Sequence, residues 1–359
     1  MNKKEILEIK KFFKPENVVI SKICGCYVDY EKEIKLQTKS AFLALPEEEE
    51  FKYLDIFKKT LSGGIGKKLL NLSFPLAAEE ENGEQSFLLK LRDSHLEDDT
   101  LIEEFYNKVI SSYAYETNYY IVLIHGLYDV PGKAGDGSTM FDASDEVYDF
   151  IMCSICPVDL SKAGLSYNAE LNAVEDRIRD WLVGVPMDGF VFPAFNDRSS
   201  DIHNMLYYSK KTNALQDDFI REMFGINAPL SADEEKEKIR IVLEDALDKE
   251  YNFEFTKNFQ EIVFNDITEH SDDKEELQYD VSVLKKILEE CNISEDSINA
   301  FEDVYENELH GRKVSAKNII DEKNFVYKNI DVTLKVSNEN LGLVSEQMID
   351  GRKCLVIRL

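Results

Sequence analysis

Two long apolar runs most constrain what this chain can fold into. NYYIVLIHGLYDV, residues 118–130, has the density of β-branched and aromatic side chains that suits a buried strand. VYDFIMCSICPVDL, residues 147–160, has the same character. Between them lies PGKAGDGSTMFDASD, rich in Gly and Asp, so the runs are predicted to pair as an antiparallel hairpin with a long acidic tip.

Around this hairpin the periodicity predicts mixed elements. MNKKEILEIKKFFKPENVV reads as a short amphipathic helix ending at Pro15, and NVVISKICGCYVDYEKEIKLQ as two strands joined around Asp29-Tyr30-Glu31. Phe51, Leu54, Ile56, Phe57 and Leu61 fall at helical spacing after Pro46 and an acidic run; Leu101, Phe105, Val109 and Ile110 mark another helix. GFVFPAF, residues 189–195, reads as a strand, and a helix is predicted to start near Ser199 or Ser200, with Ile202, Met205 and Leu206 as its buried stripe. From about Asp217 the pattern becomes helical, and Ser231 with Glu234 has the spacing of a capping box. HSDDKEELQYD reads as a linker, two further helices follow it, and Asp350-Gly351 signals a hairpin turn near the end. The expected fold is α+β: an N-terminal mixed sheet with flanking helices over residues 1–215, then a helical segment and a small α+β part ending in a hairpin over 216–359.

Charge and cysteine content narrow the function classes. The net charge is −28. Residues 1–75 hold 14 Lys against 11 acidic residues and 311–359 hold 9 basic against 6 acidic, so residues 76–310 carry −34. A duplex-wide basic face is not expected on such a chain, although a local patch could be built from its two ends. No apolar run approaches the ~18 residues that cross a bilayer, and the N-terminus lacks a continuous apolar core, so a cytoplasmic protein is expected. Six cysteines in 359 residues then read as reduced thiols and not as a disulfide framework.

The candidate sites divide as follows. Ser62-Gly63-Gly64-Ile65-Gly66-Lys67-Lys68 resembles a phosphate loop, but Leu61 and Lys68 stand where that motif needs Gly and Ser or Thr. Helix-breaking glycines between two helices explain it. Cys24, Cys26, Cys153 and Cys156 could supply four thiolates to zinc, but they lie in strand-like runs and not in knuckle turns, so buried thiols are expected. Asp129, Asp136, Asp142, Asp145 and Glu146 lack the spacing of a calcium loop and read as solvated. His125, at the end of YIVLIH, reads as a structural histidine. The densest polar group is Asp197, Arg198, Asp201 and His203 in FNDRSSDIHNMLYYSKK. On a helix Asp201 and His203 face apart, so capping by Asp197 and an anion held by Arg198 at the helix start are the expectation. No catalytic residue, metal ligand or cofactor is assigned.

ICGCYVD, LSGGIGKKLLN, LLKLRDS, YDVPGKAGDG, FDASDEVYDFIMCSICPV, LSYN and FPAFNDRSSDIHNMLYYSK together resemble an uncharacterised bacterial family described only as a domain of unknown function. That resemblance runs from residue 1 to about residue 230 and implies no activity. The segment around Phe219, Met223, Phe224 and Gly225, with the helices and strand pair after it, is similar in layout to nucleoid-associated proteins of the NdpA type. The ending is also similar to that of KwaB, the DNA-binding partner in the Kiwa anti-phage system. What these layouts imply is DNA association despite the negative charge, and hence a non-enzymatic binding protein, nucleic-acid- or nucleoid-associated and linked to phage defence. Two alternatives stand beside it: a hydrolase or nuclease acting through Asp197, Arg198, Asp201 and His203, and an acidic scaffold for a basic protein. The partners expected are nucleic acid, protein or a second copy of the chain, and no membrane.

Overall fold

The computed structural model describes residues 1–15, 19–133, 139–270, 277–321, 323–328 and 333–358. The chain forms two compact units, Met1–Pro229 and Leu230–Leu359. The boundary lies after the helix at Asp217, which packs into the first unit, whereas the helical periodicity that starts there groups it with the C-terminal part, 216–359.

In the first unit α1 (Lys3–Phe12) is closed by a capping box between Asn2 and Glu5. There follow β1 (Ile20–Val28), β2 (Ile34–Ala41), α2 (Glu47–Thr60), β3 (Leu69–Ser73), α3 (Glu84–Asp93), α4 (Asp99–Ser112), β4 (Tyr119–Lys133) and β5 (Thr139–Leu160). A hairpin of β6 (Leu165–Asn168) and β7 (Ala173–Asp176) leads to β8 (Trp181–Val183), β9 (Asp188–Phe192), β10 (Ala194–Asn196), β11 (Ser199–Asp201), β12 (Asn204–Ser209) and α5 (Asp217–Phe224). The main sheet runs β2-β1-β4-β5-β9-β12-β3, with β8 paired to β5. Expected as mixed, it is antiparallel at each described pairing.

Both faces of this sheet are covered, which is why its central strands are continuous apolar runs and not alternating ones. Along β4, Ile121 and Leu123 enter the core under α3, α4 and α5, whereas Val122 and Ile124 enter the core under α1 and α2. Cys24, Cys26 and Cys153 lie in the first of these cores. Burial pushes the thiols of Cys24 up to about 11 and of Cys26 and Cys156 to about 12, so they remain protonated.

Two local expectations are corrected. No helix begins at Ser199. Asp197 and Arg198 both adopt left-handed φ values, +49° and +62°, and turn β10 into β11; β12 then pairs with β3 and β9. Met205 to Tyr208 are all buried, with Met205 and Tyr207 on one face and Leu206 and Tyr208 on the other. The spacing of Ile202, Met205 and Leu206 imitates a helical stripe, but sheet pairing on both sides of β12 decides. The glycine-rich stretch Ser62–Lys68 likewise joins a helix to a strand, α2 to β3, and not two helices.

The second unit contains α6 (Ala232–Leu247), α7 (Phe253–Glu269), β13 (Gln278–Tyr279), α8 (Val281–Glu290), α9 (Glu295–Leu309), β14 (Val314–Ser315) and α10 (Ala316–Ile319). Two hairpins follow, β15 (Asn324–Lys328) with β16 (Thr333–Ser337), and β17 (Val344–Ile349) with β18 (Arg352–Ile357). Ser231 and Glu234 form the predicted capping box. Asp350 and Gly351, at φ +51° and +75°, make the predicted turn. Of the predicted linker, residues 271–276 lie outside the described residues. Overall the chain is α+β. None of its described helices is long and apolar enough to cross a membrane.

Candidate metal centre

The four residues singled out by sequence form a brace. Arg198 donates from Nη2 to Glu8 Oε1 at 2.9 Å and to the Pro131 carbonyl at 2.8 Å, and its Nε faces both Glu8 oxygens at 3.3 Å. The Asp197 amide donates to Glu5 Oε1 at 2.8 Å. Asp201 accepts from Asn196 Nδ2 and Asn204 Nδ2, each at 2.7 Å, and from the His203 amide at 3.1 Å. Burial opposes its ionisation, but these bonds prevail and hold the carboxyl below its usual range. His203 turns away to Glu79, 2.7 Å from its Nδ1, and that bond raises the imidazole above its usual range. The group therefore ties the β10–β11 turn to α1 and β4. Among the loop acids, Glu146 accepts from the Ser200 amide at 3.2 Å and Asp129 is exposed; Asp136 and the side chains of Asp142 and Asp145 lie outside the described residues.

A different cluster carries more chemistry. His125, read from sequence as structural, is fully buried on β4. Its Nε2 lies 2.8 Å from Asp149 Oδ1, and its Nδ1 lies 2.6 Å from Ser21 Oγ. His95, between α3 and α4, stacks on it with ring centroids 4.5 Å apart and planes at 25°, and its Nε2 is 3.8 Å from Asp149 Oδ2. Ligand atoms of His95, His125 and Asp149 all fall within 4.8 Å of one another.

Register and backbone geometry build this group. In the β4–β5 ladder His125 faces Ile151 and Leu127 faces Asp149, so His125 and Asp149 are diagonal neighbours on one face. The β1–β4 ladder shifts between Ile20 and Lys22, which makes Ser21 the extra residue of a bulge. Bulges re-aim side chains, and here the hydroxyl reaches the imidazole. His95 and Leu96 both take left-handed φ, +49° and +57°, an uncommon state for side-chain-bearing residues that costs of order 1 kcal/mol each. Leu96 is fully buried and pins the loop, while Lys22 Nζ at 3.0 Å from Glu97 Oε1 and Lys39 Nζ at 2.8 Å from the Glu97 carbonyl tie it to β1 and β2.

Donors and acceptors limit what the cluster can do. An ionised carboxylate only accepts, so His125 facing Asp149 needs either a proton or a cation on Nε2. With a proton there, Ser21 donates to Nδ1 and a serine–histidine–aspartate relay results. With a cation there, Nδ1–H donates to Ser21 Oγ, the outer-shell bond that fixes the tautomer of a metal-bound histidine. His125 Nε2 faces Asp149 Oδ1 at 2.8 Å and His95 Nε2 faces Asp149 Oδ2 at 3.8 Å, so each carboxylate oxygen addresses one imidazole on the scale of the ~3.3 Å between ligand atoms on a tetrahedral ion with bonds of 2.0–2.1 Å. Two imidazoles and one carboxylate are a donor set for zinc or a related divalent ion, with a fourth position left for water. A second acidic trio, Asp29, Glu31 and Glu33, is already faced by Lys35, 2.9 Å from Asp29 and 2.5 Å from Glu33.

His125 stands out in the sequence at the end of its strand, but its partners Ser21, His95 and Asp149 do not, lying 104, 30 and 24 residues away along the chain. The available signal was a polar residue inside each apolar strand, Ser21 in VVISKICG and Asp149 in VYDFIM, at positions that register alone brings together. No curated protein matches this sequence. The family DUF4317, a domain of unknown function, matches residues 1–359, beyond the stretch to about residue 230 that the motifs indicated. The chain belongs to the DUF4317 family, over its whole length.

Proposed function

We propose that this protein is a metal-dependent hydrolase whose divalent ion, of the zinc class, is held by His95, His125 and Asp149. The observation that carries the reading is the convergence of these ligand atoms from three separate elements, with Ser21 behind His125. Such an ion lowers the pKa of its bound water to about 7 and supplies hydroxide at neutral pH. His95, more than half exposed, opens the cluster to solvent, while Lys22 stands opposite His125 in the ladder. Lys22 and Lys39 beside the loop are paired with Glu97 and Asp99, so the ion itself would polarise the substrate, and a phosphoester is the class proposed. Turnover of p-nitrophenyl phosphate and p-nitrophenyl acetate, with zinc and with EDTA, tests this. Zinc-dependent turnover lost in Asp149→Ala supports the proposal. EDTA-resistant turnover lost in Ser21→Ala replaces it with a serine nucleophile, and no turnover with either substrate in any metal overturns it.

A second reading, association with nucleic acid, draws on a different face. Burial, with Lys59 and Lys58 of α2 nearby, holds the Lys10 amine of α1 below its usual range. Clustered positive charge of this kind is what a phosphate backbone needs. Gel retardation of DNA and RNA across a salt series checks it, and no retardation at low salt refutes it.

A further inference from the structure

The segment from Lys162 to Val185 forms an arm of β6, β7 and β8, and nearly all of it is exposed. Leu165, Tyr167, Val174, Ile178 and Trp181 are 77%, 64%, 64%, 86% and 56% exposed, and Leu171, Leu182, Val183 and Val185 are also open. Register pairs Tyr167 with Val174 and Leu165 with Asp176, so Leu165, Tyr167 and Val174 share one face of the hairpin. The arm is a built element. Arg179 Nε donates to the Ser161 carbonyl at 2.6 Å, the Gly184 amide to the Pro157 carbonyl at 2.8 Å, and β8 pairs with β5.

We infer that this arm is a self-association surface, and that its partner is the arm of a second copy of this chain. Nine open apolar side chains, each leaving on the order of 100 Å² in water, together match the ~800 Å² per partner that stable interfaces bury. Charge selects the occupant. Residues 76–310 carry −34, which would repel a second copy across most of that surface. Residues 162–185 hold three basic residues, Lys162, Arg177 and Arg179, against four acidic ones, Glu170, Glu175, Asp176 and Asp180. The arm is thus a near-neutral island where two acidic chains can meet, and its mixed signs suit the self-complementary patch of a two-fold dimer.

Trp181 is the only tryptophan in the chain and lies on the arm, so it reports directly. Sedimentation and tryptophan emission of the full chain are followed together from about 0.1 to 100 μM, across the range of ordinary interface affinities. The expected result is a concentration-dependent doubling of mass with a parallel blue shift of emission. Ile178→Lys with Leu165→Lys should weaken dimerisation at least tenfold, while at about 0.1 μM, where both proteins are monomeric, the thermal transition stays in place because both side chains are then in water. A wild type that stays monomeric throughout overturns the inference. A dimer unaffected by the two lysines overturns it, and so does a blue-shifted tryptophan in a concentration-independent monomer, which would mean that the chain covers its own arm.

Discussion

Removal of the Ser21 hydroxyl separates the two chemistries that the Ser21–His125–Asp149 geometry allows. In Ser21→Ala the imidazole Nδ1, on a fully buried ring, loses the partner 2.6 Å away. A hydrogen bond of this kind contributes about 0.5–1.5 kcal/mol, and stranding a buried donor costs about 1–3 kcal/mol. If the hydroxyl orients a metal ligand, zinc affinity should therefore fall about 10–100-fold, the usual scale for an outer-shell partner. Turnover at saturating zinc should then fall by less than that. If the hydroxyl is instead the nucleophile, turnover should drop by about 10⁴-fold or more with zinc affinity untouched. Competition with a chromophoric chelator gives the affinity, and initial rates at fixed free zinc give the turnover. Unchanged affinity and unchanged turnover together would refute the assigned role of Ser21 in either chemistry.

Further outcomes follow from the same physics. Asp188 accepts from Tyr113 Oη at 2.7 Å and Tyr207 Oη at 3.0 Å, and burial raises its carboxyl above the usual range. Asp188→Ala strands both hydroxyls and should lower stability by about 2–5 kcal/mol in urea unfolding, while Asp188→Asn should cost less than half of that. Arg198→Ala should destabilise the first unit by about 1–2 kcal/mol yet leave zinc affinity unchanged, since its partners are Glu8 and the Pro131 carbonyl; a loss of zinc binding would mean that the brace and the cluster are coupled. Buried Cys24, Cys26 and Cys156 titrate near 11 to 12 when folded and near 9 when unfolded. The unfolded chain therefore releases these protons first as pH rises, and stability should fall between pH 9 and 11, by about 1 kcal/mol per thiol at pH 10. Chemical denaturation at pH 8 and pH 10 measures this, and a flat profile would contradict the burial of these thiols.

Features set by near neighbours were legible in the sequence. The β4–β5 pairing, the Ser231–Glu234 capping box and the Asp350-Gly351 turn each depend on residues within a few positions, or on one apolar run answering another. The β10–β11 turn was not, because Asp197 and Arg198 occupy left-handed positions that carry no glycine signal. Without that turn, Ile202, Met205 and Leu206 keep their helical spacing, and the anion-binding helix start expected there follows from the misread element. The His95–His125–Asp149 cluster is illegible for a different reason. Ser21 reaches His125 through a bulge, Asp149 through ladder register and His95 through a strained loop pinned by Leu96, and none of these leaves a local pattern.

Calorimetric titration of zinc into the metal-free full chain, beside His95→Ala and Asp149→Ala, bears most directly on the proposed centre. One equivalent should bind the wild type, and each substitution, which removes a ligand and not merely its support, should weaken binding more than 100-fold. Equal zinc uptake by all three proteins, or none by the wild type, would contradict a metal centre at His95, His125 and Asp149.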